Sequence, residues 1–293
     1  FAKELKVTGS LIALLKDAIM PNLVQSVEGV PAFLHGGPFA NIAHGCNSVL
    51  ATRMALAHAD YAVTEAGFAF DLGGEKFMHI KCRQSGLSPA AIVIVATVRA
   101  LKMHGGVALS DLQKPDVAAL ERGLDNLAAH LDSAALFERP VIVAINRFTT
   151  DHDDEIQAVH DFCASRGVAS STANVFGEGG DGARDLAEIV VKAAAVDSPP
   201  LKPLYDLTHT TKEKLHRIAT QIYGADGVEL SALATERLTA FRQCGFGDLP
   251  LCMAKTQNSL SDDATKLGRP RASKITLRAA IRAMVAGLQP DGS

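Results

Sequence analysis

AAIVIVAT, residues Ala90–Thr97, is the stretch on which the fold turns. It is short, unbroken and rich in β-branched side chains. Such a run suits a strand covered on both faces, as in a parallel sheet. PVIVAIN, Pro140–Asn146, repeats the pattern, and ADYAVTE, Ala59–Glu65, reads as an earlier strand. A last strand is expected at the short apolar run Pro250–Ala254. Between these runs the period changes. Val117, Leu120, Leu124, Leu127 and Leu131 fall on one helical face, as do Leu186, Ile189, Val190 and Ala193. Both sets follow the spacing of an amphipathic helix. Strand–helix alternation of this kind predicts an α/β fold with a parallel sheet and crossover helices.

DSPPLKP, Asp197–Pro203, interrupts the pattern, because adjacent prolines cannot continue a helix. Two amphipathic helices are expected beyond it, one through Leu215, Ile218, Ala219 and Ile222, the other through Leu230, Leu233, Ala234 and Phe241. The end of the chain, from Leu288, reads as frayed.

With 293 residues, 47% of them apolar, the chain can bury a sizeable core, and such a length commonly divides into about two domains. A net charge of −3, without long single-sign runs, gives no electrostatic footprint for nucleic acid. No apolar run reaches the ~18 residues of a membrane span. Residues Phe1–Lys16 lack the features of a signal peptide, and Phe1 in place of Met fits a fragment or a processed chain. The cysteines, Cys46, Cys82, Cys163, Cys244 and Cys252, are odd in number and scattered, so they read as reduced thiols of an intracellular protein. His35, His44 and Cys46 lie close together but lack the ordered spacing of a zinc site. No metal site is expected.

Ligands of open α/β sheets bind beyond the carboxyl ends of the strands. The loop after the first expected strand runs from Glu65 through Gly67, Phe68, Phe70 and Asp71 to Gly73 and Gly74. Its aromatics offer flat faces to a ring, or cover a core. Arg99, Lys102 and His104 precede Gly105 and Gly106 after Ala90–Thr97. They suit a phosphate or a carboxylate, and equally a solvated basic turn. Asn146-Arg147-Phe148 ends the third strand, where a phenylalanine suits stacking on a planar ligand or belongs to the core. The acids Asp153, Asp154 and Glu155 that follow need no role beyond complementing a helix dipole. The glycine loop Phe176–Gly182 lacks the Gly-Lys-Ser/Thr ending of a Walker loop, since Ala183, Arg184 and Asp185 come next. The residues alone therefore stop at an α/β protein with several ligand-competent loops.

Taken together, these segments resemble a known family. VATVRALKMHGG (Val95–Gly106), PAFLHGGPFANIAHGCNS (Pro31–Ser48), VTEAGF (Val63–Phe68), DLGGEKF (Asp71–Phe77) and IKCR (Ile80–Arg83) are similar to hallmark segments of formate–tetrahydrofolate ligase. The resemblance runs from about Phe1 to about Thr276, and the Cys46-Asn47 form looks bacterial. It implies a P-loop NTPase-like parallel-sheet core with flanking helices and a second α/β domain. Residues 1–125 would be the remainder of the nucleotide-binding domain, 126–270 the second domain with the pterin site, and 271–293 a divergent tail. The implied reaction joins formate to tetrahydrofolate with ATP, through formyl phosphate, to give 10-formyltetrahydrofolate. The resemblance also implies Mg²⁺ with the ATP, a response to a monovalent cation, a homotetramer and a cytoplasmic location.

Carried over residue by residue, the family's two pterin-stacking aromatics fall on Phe148 and Phe176. The second is usually Trp in the family, and this chain has no Trp. Glu65, Phe68, Asp71, Arg99 and Lys102 fall on loops of the nucleotide side. Catalytic residues are not assigned. The family's Gly-Lys-Thr-Thr loop has no counterpart in these residues, and the segment from Arg278 departs from the family pattern. The expectation is an incomplete ligase, truncated at both ends. The alternative is a non-catalytic binding or assembly subunit of a split ligase.

Overall fold

The computed structural model describes residues 4–36 and 47–278. His44, Cys46 and the tail from Leu288 lie outside them, as does most of the Pro31–Ser48 hallmark segment. The chain opens with helix α1 (Thr8–Leu15), an antiparallel hairpin of β1 (Asn22–Gln25) and β2 (Pro31–Leu34), and helix α2 (Val49–His58). Ser48 starts α2 by accepting a hydrogen bond from the Ala51 N–H. A buried helical stretch with wide turns at Ala69–Gly74 and Phe77–Cys82 then ends in α3 (Arg83–Ser85).

The central layer follows. It consists of β3 (Ile92–Ala96), α4 (Val98–His104), α5 (Val117–Ala135), β4 (Val141–Asn146), α6 (Asp153–Ser165) and β5 (Ala169–Ala173). The three strands form a parallel sheet in the order β3-β4-β5, with Ala96 beside Ile145 and Asn146 beside Ala173. After it come α7 (Val175–Glu178), α8 (Arg184–Ala194), α9 (Thr211–Arg217), a wide turn at Ile218–Ile222, β6 (Gly227–Leu230), α10 (Ala232–Gln243) and β7 (Lys274–Leu277). The last two strands pair in parallel. The architecture is thus mixed α/β with a parallel sheet and flanking helices.

Two cores hold it together. One lies between the sheet and its helices, where Leu120, Leu124, Leu127 and Leu131 of α5 meet Val143 and Ile145 of β4 and Ile156 and Val159 of α6. The helical period read from the sequence is the buried face of α5. The other core gathers Phe70, Phe77, Phe137, Tyr205, Ile218 and Ile222. Helix α5 joins the two, since Ala134 near its end belongs to the second.

Helices α4 and α5 approach so closely that two glycines are required. A Cβ on Gly123 would stand 1.8 Å from the Leu101 carbonyl oxygen, and one on Gly105 would stand 1.8 Å from that of Ala119. These are backbone atoms of helices, which cannot step aside alone. Gly123→Ala is therefore expected to lose about 1–3 kcal/mol by overpacking. Equilibrium urea unfolding measures this, and a variant as stable as the parent contradicts the contact.

Three expected elements differ. Residues 59–65 run as irregular chain, almost wholly exposed and without a partner strand among the described residues. A strand needs a neighbour to satisfy its backbone, and here none lies alongside. Pro250–Ala254 is not a strand either. Its polar groups go to side chains: the Leu251 N–H donates to the Tyr205 hydroxyl at 3.1 Å, and the Met253 carbonyl accepts from Lys76 Nζ at 2.9 Å. The last strand among the described residues is Lys274–Leu277 instead. Leu230, expected in a helix, belongs to β6, and α10 begins beyond Ser231, whose hydroxyl accepts from the Ala234 N–H.

The sequence reading missed β5, because ASSTA carries no apolar run. Its hydroxyls are held by His160, which bridges Ser170 at 2.8 Å and Thr172 at 2.9 Å. Among the described residues no helix is long and apolar enough to cross a membrane.

Candidate functional site

The carboxyl ends of β3, β4 and β5 lie side by side, and each carries a residue singled out from the sequence. Beyond β3, Thr97 caps α4 by accepting from the Ala100 N–H at 3.1 Å. This places Arg99 in the first turn of α4. Beyond β4 come Arg147 and Phe148. The Arg147 N–H donates to the Ala173 carbonyl at 3.0 Å, extending the sheet ladder by one step. Beyond β5, the Asn174 N–H donates to the Gly182 carbonyl at 2.9 Å and closes the glycine loop that carries Phe176. The register of Asn146 beside Ala173 puts Phe148 and Phe176 two and three residues past adjacent positions.

Phe148 is held from two sides. Its N–H donates to Asp151 Oδ2 at 2.9 Å, and the Asp151 N–H returns to the Phe148 carbonyl at 3.0 Å. Asp151 is buried, so this tight turn is fixed. The Arg99 guanidinium carbon sits 4.3 Å from the centre of the Phe148 ring. Arg99 Nη2 donates to Thr150 Oγ1 at 2.8 Å. Phe148 remains 36% exposed and Phe176 90% exposed, so both rings present surface to solvent. A polar cleft of about 300 Å³ opens at the ends of β4 and β5, lined among others by Arg147, Asn174, Glu178, Asp181 and Arg184.

The nucleotide-side candidates divide. Glu65 is exposed and Phe68 is half exposed. Asp71 is buried and bonds Lys255 Nζ at 2.7 Å, with His130 Nδ1 3.9 Å away. Lys255 also donates to the carbonyls of Thr256 and Ser259. Burial holds His130 below the ordinary histidine range, with Asp71 opposing and Lys255 adding to the shift. Burial, with His130 adding to it and Asp71 opposing, likewise holds His104 below the ordinary histidine range, and its Nδ1 accepts from the Gly268 N–H at 3.1 Å.

Lys102 is also interior. It pairs with Glu155 at 2.9 Å, both side chains being 1% exposed or less, and it donates to the Lys114 carbonyl at 2.8 Å. Glu155 further accepts from the Asp116 N–H at 2.8 Å and the His152 N–H at 3.4 Å. One carboxylate thus ties α4, the start of α5 and the start of α6 together behind the loops. The acidic start of α6 is therefore more than a complement to its dipole. The sequence signal was present in the spacing of His152 and Glu155, a first-turn acid three residues after the cap.

His35 bonds Ser48 Oγ at 2.7 Å and the Ala18 carbonyl at 2.8 Å. Among the described residues no three His, Cys, Asp or Glu side chains cluster to hold a metal ion. What the strand ends offer is two exposed aromatic rings, Phe148 and Phe176, and a mixed-charge cleft lined by their neighbours Arg147 and Asn174. Exposed rings with polar groups nearby can stack on a planar ring and bond its edges.

A family model described as formate–tetrahydrofolate ligase matches residues 1–288. A curated formate–tetrahydrofolate ligase of Bacillus licheniformis is 53% identical over 277 residues, which make up 94% of this chain and 50% of that relative. The chain spans about half the length of the curated relative it matches.

Proposed function

The chain belongs to the formate–tetrahydrofolate ligase family, and from that premise we propose that it carries the folate side of an ATP-dependent ligase. The full reaction joins formate, ATP and tetrahydrofolate into 10-formyltetrahydrofolate, ADP and phosphate, through formyl phosphate. Phe148 and Phe176 are the stacking pair for the pterin ring. The observation that carries this is their position: two exposed rings at the ends of adjacent parallel strands, one of them fixed by a buried aspartate turn.

The loop from Glu65 to Asp71 faces the nucleotide side in this reading. Glu65 and Phe68 are its accessible members, and Asp71 anchors it from within through Lys255. Lys102 supports its own loop through Glu155. β3 belongs to a P-loop NTPase-like core, and β4 and β5 carry the same parallel sheet on into the second domain. The nucleotide and pterin domains meet near residues 125–126, inside α5, and β7 belongs to the second of them through its pairing with β6. Mg²⁺ enters with the ATP phosphates, as the family implies. A monovalent cation, a homotetrameric assembly and a cytoplasmic location are carried over from the family.

A second reading, a binding or assembly subunit of a split ligase, draws on β3. Val93 and Val95 are 40% and 64% exposed, on a type of strand that parallel sheets cover on both faces.

Activity separates folate binding from ligation. These 293 residues contain no Gly-Lys-Thr-Thr run to hold the ATP phosphates. Incubated alone with ATP, formate and tetrahydrofolate, the purified chain is expected to form no 10-formyltetrahydrofolate above background. Sustained turnover would contradict the proposal that it supplies only the folate side.

A further inference from the structure

Arg99 is built into the sheet edge in a way that a phosphate ligand does not explain. Its guanidinium lies over the Phe148 ring at 4.3 Å, and one of its amino groups is spent on the Thr150 hydroxyl. Its Nε is buried and makes no hydrogen bond among the described residues. A guanidinium that served an anion would keep its donor fork open toward solvent. This one lies over an aromatic face, with its hydrogen bond made to the turn that follows the same ring.

We propose that Arg99 is a positioning residue for the pterin clamp: it covers one face of Phe148 and leaves the other for a planar ligand. The proposal rests on the reading of Phe148 as a stacking residue and goes beyond it. Three physical effects act together. The cation meets the negative face of the ring and holds the ring's plane. The bond to Thr150 fixes the guanidinium relative to the turn that Asp151 closes. The ring is thereby pre-ordered, so that a ligand spends less of its binding energy on immobilising a side chain. An electron-poor neighbour on one face also favours an electron-rich partner on the other, which suits the aminopyrimidinone ring of a reduced pterin.

Calorimetric titration of tetrahydrofolate into the full chain tests this, using Arg99→Met, Arg99→Lys, Phe148→Leu and the Arg99→Met/Phe148→Leu double variant. Arg99→Met keeps the length and apolar cover but removes the charge. It is expected to weaken binding about tenfold. Arg99→Lys, which can keep a cation over the ring, is expected to stay within about threefold of the parent. In the double variant Arg99→Met should add little to the loss from Phe148→Leu, because Arg99 acts through that ring. Should Arg99→Met destabilise the fold, Thr150→Val reads the same arrangement more gently, with an expected loss of about threefold.

Unchanged affinity in Arg99→Met, with a loss in Phe148→Leu, overturns the positioning role and leaves the clamp standing. Equal losses for lysine and methionine overturn the cationic contact. Losses that add in full mean that Arg99 touches the ligand itself, which also overturns the proposal. If neither Phe148→Leu nor Arg99→Met changes affinity, the clamp fails and the proposal fails with it.

Discussion

Glu155→Ala is expected to lower the unfolding free energy by about 3–5 kcal/mol, because it strands the buried Lys102 ammonium without its counter-charge. The loss goes beyond one pair. Glu155 receives the Asp116 N–H at the start of α5 and the His152 N–H at the start of α6, so its removal also uncaps two helices. Equilibrium urea unfolding at neutral pH gives the number. A change below about 1 kcal/mol, the range of exposed pairs, would show that the pair is not buried in solution. The pH dependence carries a sign. Burial pushes the Glu155 carboxyl upward, but the Asp116 N–H and the Lys102 ammonium outweigh it and hold the group below its ordinary value of 4.5. A carboxylate lowered on folding contributes its full stability above the ordinary value. It loses that stability as pH falls through the lowered one. The parent should therefore lose more stability below pH 4.5 than Glu155→Ala does.

The second large effect concerns ligand. The Phe148→Leu/Phe176→Ala double variant is expected to bind tetrahydrofolate at least about 100-fold more weakly than the parent. Stacking of a heterocycle on one aromatic side chain contributes about 1–3 kcal/mol, and two faces are lost here. Leucine at 148 keeps Arg99 covered, so the change is confined to the ring. The opposite substitution sharpens the test. Phe176→Trp adds roughly 40 Å² of ring surface, which at about 25 cal/mol per Å² is about 1 kcal/mol, or about fivefold tighter binding. A tryptophan that changes nothing would remove Phe176 from the clamp. Phe176 is 90% exposed, so neither change at that position should disturb stability.

The parallel sheet was legible because β3 and β4 are unbroken β-branched apolar runs, and α5 because its leucines face one core. The strand ends were legible for the same reason, since ligand loops follow from where strands stop. β5 was hidden by its two serines and one threonine, of which Ser170 and Thr172 bond His160. Residues 59–65 misled in the other direction: β-forming residue types make no strand without a neighbour. The interior roles of Lys102, Glu155 and Asp71 could not be read from order alone. A charge in a loop looks solvated until its partner, 53 residues away for Lys102 and Glu155, is seen to reach it. Lys255, the partner of Asp71, lies in a segment with no motif at all.

One measurement bears most directly on the folate-side assignment. Tetrahydrofolate is titrated calorimetrically into the 293-residue chain, without ATP or formate, beside the Phe148→Leu/Phe176→Ala variant. The account predicts saturable binding at one site per chain and its loss by about 100-fold or more in the variant, both proteins unfolding at the same urea concentration. Equal affinity in the two proteins, or no binding to the parent, would contradict it.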